Sequence, residues 1–193
     1  DSTTEAFMPG FIDGTTYYLR ISATDIPGNQ SAFTADVMGV PQPAVITWVD
    51  PDTTNVLDAE DTQLSIHFSQ PLLDIGAASV TTIAYADMDL TTSYSAVDTS
   101  IIVQFNEPYA SLDSITLTIS NILDWSGSGT DTKEFSYTTY MLADYDKNFQ
   151  IDAADLAAYL TGWGNSDYSY ELGPITGTVP HFIPTPNNVY DLR

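Results

Sequence analysis

Twelve consecutive residues, Asp144-Tyr-Asp146-Lys-Asn148-Phe-Gln150-Ile-Asp152-Ala-Ala-Asp155, constrain the folding of this chain more than any other stretch. Oxygen-bearing side chains stand at positions 1, 3, 5, 9 and 12, and Gln150 stands at position 7, where a main-chain carbonyl serves. A hard cation of the size of Ca²⁺ takes roughly six to eight oxygens at about 2.3–2.6 Å, and a tight loop turning inward at alternate residues supplies them. Four carboxylates this close repel one another when no cation lies between them. The candidate metal ligands are therefore Asp144, Asp146, Asn148, Gln150 (main chain), Asp152 and Asp155. The alternative is an acidic helix start in which Asp152 is a cap and the other carboxylates face water. After the loop, Leu156, Tyr159, Leu160 and Trp163 recur at helical spacing, and the helix is expected to end at Gly162 and Gly164. Its apolar stripe calls for a cover, and the proline-rich stretch Val179-Pro-His-Phe-Ile-Pro-Thr-Pro is expected to cross it in extended form.

Two departures mark the loop. Position 6, usually glycine for a sharp turn, is Phe149, so a bulky residue must hold a positive φ. Position 12 is Asp155 and not glutamate, and the preceding Phe135-Ser-Tyr-Thr-Thr-Tyr-Met is strand-like, so only the exiting helix of an EF-hand is present. Loop, Asp at position 12 and exiting helix together resemble the dockerin module of secreted bacterial proteins, over residues from about 140 onward. That resemblance implies two packed loop-helix units, Ca²⁺ as the ion and a cohesin-like protein as a partner. The residues after position 9, which in dockerins help contact the cohesin, are Ala153 and Ala154. A second unit aligns Asn187 to Arg193 with Asn148 to Ala154, but Thr185-Pro186 replaces its first acidic ligands.

Charge limits the partners. Net charge is −22, and Arg20, Lys133, Lys147 and Arg193 are the basic residues, which argues against nucleic acid or an anionic membrane as partner. Divalent cations or high salt would relieve the repulsion. With no cysteine there is no disulfide framework, so rigidity must come from β-packing and metal. Abundant Thr, Ser and Tyr, in place of a glutamate-rich surface, favour an extracellular or cell-surface setting over a halophile's cytosol. No run of 18 apolar residues and no signal peptide is present, and the chain reads as a mature or internal segment.

Punctuation divides the chain into residues 1–40, 41–139 and 140–193. In the first, Tyr17 to Ala23 alternates as a strand, the turn Ile26-Pro-Gly-Asn-Gln-Ser follows, and Phe33 to Val40 forms a last strand. These residues resemble the final third of a fibronectin type III domain, with Tyr17 as its corner tyrosine. Strands so few leave an apolar face uncovered, to be completed by chain beyond this segment or by strands donated from a neighbour. In the second segment seven runs read as strands, 44–49, 63–68, 79–84, 91–96, 100–105, 114–119 and 133–138, at a spacing that argues a sandwich. Thr47-Trp-Val-Asp-Pro-Asp, Leu64-Ser-Ile-His-Phe-Ser-Gln-Pro, Ile119-Ser-Asn-Ile-Leu-Asp-Trp-Ser-Gly and Phe135-Ser-Tyr-Thr, in that order, are similar to the bacterial immunoglobulin-like domains of surface-layer proteins. The expected fold class is mainly β: tandem immunoglobulin-like and fibronectin-like sandwiches with a small α-containing, Ca²⁺-binding C-terminal module.

Catalytic signals are weak. A serine hydrolase needs a histidine base, and the two histidines are His67, in a strand, and His181, in a proline-rich loop. Trp125 and Tyr109 read as packing residues before they read as a sugar platform. The acceptor pattern Asn29-Gln-Ser31 doubles as an ordinary fibronectin turn. The sequence thus points to a non-enzymatic structural or assembly segment of a secreted or cell-surface bacterial protein, a stalk, adhesin, surface-layer or fibre component whose partners are other modules or copies of the same assembly. The alternative is the dockerin-bearing tail of a secreted polysaccharide-degrading enzyme docking to a cohesin scaffold. A weaker one is a filament subunit completed by strand donation.

Overall fold

A computed structural model describes residues 10–58, 61–85 and 87–190. Among them, fourteen strands and one α-helix follow in the order β1 (Tyr17–Leu19), β2 (Val37–Gly39), β3 (Ile46–Asp50), β4 (Val56–Leu57), β5 (Gln63–Phe68), β6 (Leu72–Asp74), β7 (Ala77–Thr81), β8 (Leu90–Ser95), β9 (Ser100–Phe105), β10 (Ser114–Ser120), β11 (Leu123–Asp124), β12 (Lys133–Thr139), α1 (Ala153–Asn165), β13 (Ile175–Thr178) and β14 (His181–Pro184). The chain is mainly β, as its alternating runs predict. Strands β5 and β9 coincide with their expected bounds, and the ends of the other five long runs shift by three residues or fewer.

Two four-stranded sheets, ordered β3-β5-β9-β8 and β4-β12-β10-β7, form the centre of the molecule. This is the A-B-E-D and C-F-G arrangement of an immunoglobulin-type sandwich. The first strand is split after Asp50: β3 pairs antiparallel with β5, and β4 crosses to pair parallel with β12. Alternation places Leu64, Ile66 and Phe68 of β5, Ile101, Val103 and Phe105 of β9, and Ile115, Leu117 and Ile119 of β10 in one shared core, with Val80 and Tyr137. Each fully buried aliphatic side chain of this kind stabilises the fold by about 1.5–3 kcal/mol relative to exposure.

Buried charge in the sandwich is fully bonded. Asp113 accepts hydrogen bonds from the amides of Ile83 (2.7 Å), Ala84 (3.2 Å) and Ser114 (2.7 Å). Asp124 accepts from the amides of Ser126 (2.9 Å) and Ser128 (3.1 Å) and from the Ser126 hydroxyl (2.6 Å), closing the turn after β11. Such bonds replace lost water and explain two burials that composition alone would forbid. Tyr109 is a core residue, its ring edge-on to Phe105 at 5.2 Å and its hydroxyl donating to the Asp61 carbonyl.

Within residues 10–40, β1 pairs with β2, a bridge joins Thr24 and Gln30, and the Thr34 and Ser31 amides donate to the Ile21 and Ala23 carbonyls, each at 2.8 Å. The Tyr17 hydroxyl oxygen accepts from the Ile12 amide at 2.9 Å, and its ring is half-buried. Ile12, Ile21, Ile26, Phe33, Val37 and Met38 are exposed. No helix among the described residues is long and apolar enough to cross a membrane.

Candidate metal centre

The acidic loop begins where β12 ends and closes on the first turn of α1. Asp144 is buried, and both its oxygens accept from the loop itself, Oδ1 from the Asn148 amide (3.0 Å) and Oδ2 from the Phe149 amide (2.7 Å). Asp155, also buried, accepts through Oδ1 from the Tyr145 amide (2.7 Å) and through Oδ2 from the Asp152 amide (2.9 Å). Asp152 in turn caps the helix, accepting from the Ala154 amide at 2.7 Å, so Asp152 and Asp155 form a reciprocal capping box. Asp152 is thus a cap, as the alternative reading had it, and Asp146 is exposed, whereas Asp144 and Asp155 are buried and bonded within the loop.

Asp144, Asp146 and Asp155 each offer an oxygen, and these three oxygens lie within 4.8 Å of one another. Asn148 bends the loop by accepting from the Gln150 amide (2.7 Å), Gln150 is exposed, and Asp152 stands at the loop's ninth position, where the ion is often reached through water. The three clustered carboxylates, all oxygen donors, fit a hard divalent cation, and the structure does not bring Asp152 into that cluster. Asp146 is raised above the usual carboxylate range, first by loss of water and then by the facing carboxylate of Asp155, with Asp144 and Asp152 adding. Asp155 is lowered, chiefly by the Asp152 amide, with Tyr145 and Asp146 amides adding.

Phe149 has φ +63° and Lys147 φ +60°, the left-handed backbone that the sixth position requires, reached here without glycine. Both side chains are turned to use. Phe149 packs on Tyr140 with ring centroids 5.1 Å apart, and the Lys147 ammonium pairs with Asp58 while lying over the Tyr140 ring at 5.7 Å. Asp58 and Tyr140 flank β4 and β12, so the loop is tied to the sandwich through residues that spacing arguments passed over. A cleft of about 510 Å³ lies at this junction, lined among others by Tyr109, Tyr140, Asp144, Tyr145, Tyr170 and Glu171.

Three expectations for the C-terminal module are corrected. Gly162 and Gly164 lie inside α1, which ends at Asn165 with Ser166 in a left-handed cap. Gly162 is there for close approach: a Cβ would lie 2.5 Å from the Tyr170 ring. The stripe is not crossed by the proline-rich segment, and Leu156, Leu160 and Trp163 are 59%, 48% and 42% exposed. That segment instead folds as the β13–β14 hairpin, whose Phe182 carbonyl accepts from the Ser111 amide at 2.8 Å. His181 accordingly sits in a strand, its Nδ1 3.2 Å from the Ser111 carbonyl, and His67 stacks on Trp48 at 3.6 Å across β3 and β5.

Of the residues aligned with the loop, the turn at Asn187 is described. Asn187 accepts from the Val189 amide (3.0 Å) and Asn188 has φ +58°, reproducing the Asn148 turn and the Phe149 backbone. The remaining aligned residues, 191–193, lie outside the described residues.

No family model matches this chain, and no curated protein matches it in sequence. Among solved structures, PcoC, a methionine-rich copper resistance protein from Escherichia coli, aligns with a TM-score of 0.41 at 13% identity, covering 50% of this chain and 98% of PcoC. The N-terminal part of the bacterial S-layer protein SbsC aligns with a TM-score of 0.39 at 15% identity, covering 51% of this chain and 24% of that one. Likeness at this level carries no argument about what this chain binds or does.

Proposed function

We propose that this chain is a non-catalytic structural or assembly segment of a secreted or cell-surface protein, in which one Ca²⁺ at Asp144, Asp146, Asn148, Gln150 (main chain), Asp152 and Asp155 fastens the C-terminal module to the immunoglobulin-type sandwich. The observation that carries this reading is the convergence of the Asp144, Asp146 and Asp155 oxygens within 4.8 Å, in a loop whose lysine is turned away to Asp58. A cation there offsets the mutual repulsion of the carboxylates and fixes the first turn of α1. Through Lys147 and Phe149 the ordered loop holds the sandwich, which is what a cysteine-free module in a tensile or exposed setting requires. A calorimetric Ca²⁺ titration, with thermal unfolding in calcium and in chelator, tests it. Saturable binding with a raised unfolding temperature is expected, and no binding together with unchanged unfolding overturns it.

A second reading, a dockerin-like tail docking to a cohesin-like scaffold protein, is favoured by one feature: the exposed Leu156, Leu160 and Trp163 face beside the loop. In that case Leu160→Asp abolishes capture by the scaffold while leaving Ca²⁺ binding intact, as a pull-down with a cohesin panel would report.

A further inference from the structure

Among the described residues β3 is an edge strand, bonded to β5 and to no other strand. Val49 of β3 packs on the core, while Trp48 and Asp50 turn outward, opposite His67 and Ser65 of β5. The Trp48 indole lies against the His67 imidazole with centroids 3.6 Å apart and planes within 7° of parallel, so one face of the indole is covered and held. The residue is nonetheless 53% exposed. Because His67 stands on β5, the open face is the one turned away from the sheet.

The surroundings narrow what that face can meet. A protein partner, or a second copy adding a strand to the edge, needs apolar area and a regular ladder. No large hydrophobic side chain of β5, β8 or β9 is exposed beside the indole. The register of β3 is broken between Ile46 and Trp48, where the Thr47 hydroxyl donates to the His67 carbonyl at 3.0 Å, and such an irregularity closes an edge to strand addition. An anionic polymer is disfavoured too: none of the four basic residues stands on β3, β5, β8 or β9, in a chain of net charge −22.

Beside the ring stands oxygen chemistry without positive charge. Asp50 is two residues along β3 from Trp48, about 7 Å at the rise of a strand. Ser65 stands opposite Asp50, and the same outward row continues through Ile102 of β9 to Ser93 of β8. A carboxylate accepts two hydroxyl protons side by side, and a serine hydroxyl both donates and accepts. A sugar ring is the complement of this edge: its C–H face, slightly positive, packs on the negative π-face of an indole, and its rim of hydroxyls meets the carboxylate and the serine. An uncharged sugar is also the polymer that an acidic surface does not repel.

We propose that the outer edge of β3 binds a neutral polysaccharide, one sugar ring stacking on the open face of Trp48 with its hydroxyls bonded to Asp50 and Ser65. His67 is the positioning residue, which fixes the indole before the ligand arrives and so lowers the ordering cost of binding. This activity goes beyond the structural role given above and depends on neither the acidic loop nor α1.

The test is affinity electrophoresis of the full chain in gels cast with neutral hydroxyethylcellulose, galactomannan or arabinoxylan, and with anionic polygalacturonate as the contrast. Retardation by at least one neutral polymer is expected, unchanged by chelator. Trp48→Ala is expected to weaken it by at least about tenfold, the loss that follows truncation of a stacking tryptophan. Asp50→Ala weakens it less, and Trp163→Ala on α1 leaves it as in the parent. His67→Ala is expected to weaken it by about threefold or more, and His67→Phe, which restores a flat ring, to recover it. The proposal is overturned by a parent that no neutral polymer retards, by retardation in polygalacturonate alone, or by W48A migrating as the parent does. If W48A does not fold, the parent decides by footprinting with N-bromosuccinimide. Slower oxidation of Trp48 in the presence of the retarding polymer supports the site, and an unchanged rate refutes it.

Discussion

Residues 10–40 and residues 44–139 are both rich in alternating β-forming residues, yet one holds a closed core and the other holds none. In the sandwich, every second residue of β5, β9 and β10 meets a facing sheet. In the first segment the same alternation yields two three-residue strands, and Ile21, Phe33 and Met38 remain exposed. Local pattern therefore decides strand formation, but a second sheet decides burial. The C-terminal module lies between these extremes: few apolar side chains are buried, and polar loops organised around carboxylates take their place.

That contrast can be attacked at several points. Leu117→Ala in β10 is expected to destabilise the sandwich by about 2–5 kcal/mol in urea unfolding, whereas Ile21→Ala stays within about 0.5 kcal/mol. Equal effects would mean that residues 10–40 are packed against something. Saturating calcium at about a hundredfold over its dissociation constant is expected to stabilise the module by about 2.7 kcal/mol. Calorimetric scans should then show a calcium-sensitive transition separate from that of the sandwich, and a shift of both together would mean that the Lys147 and Phe149 ties fuse them into one unit. Gly162→Ala, a change that normally favours a helix, is expected to cost about 1–3 kcal/mol by overpacking against Tyr170, read as lost α1 helicity on heating.

The smallest effects concern pH. Asp155, held low, contributes stability that is present above the ordinary carboxylate pKa and is lost as pH falls through its depressed value. Asp146 is raised and has the opposite sign: without calcium it opposes folding above its raised pKa, and acidification relieves it. Asp146→Asn should therefore flatten the calcium-free stability profile just above the ordinary carboxylate range while weakening calcium binding at neutral pH, as paired pH titrations of unfolding would report.

Sandwich strands were legible because Leu64, Ile66 and Phe68, or Ile115, Leu117 and Ile119, alternate strictly, and alternation is a local property. The acidic loop was legible because its spacing is fixed over twelve residues. The bonding of the Glu171 carboxylate to the Asn187 amide was not, since the two stand sixteen residues apart, across a hairpin that only three-dimensional closure brings together. Nor was the helix register, because Gly162 marks a contact with Tyr170 and not a terminus. Asp113 and Asp124 look like surface acids until the amides that enclose them are in place.

The split first strand gives the sandwich a directional strength. The chain enters along β3 and β4 and leaves along β12, and β4 runs parallel to β12, with Thr138 opposite Val56 and Thr139 opposite Leu57, and the Tyr140 amide donating to the Leu57 carbonyl at 3.1 Å. A pull applied to residues 44 and 140 would load these bonds in shear, so that they must rupture together and not one after another. Extension along that line is therefore expected to be resisted first at the pairing of β4 with β12.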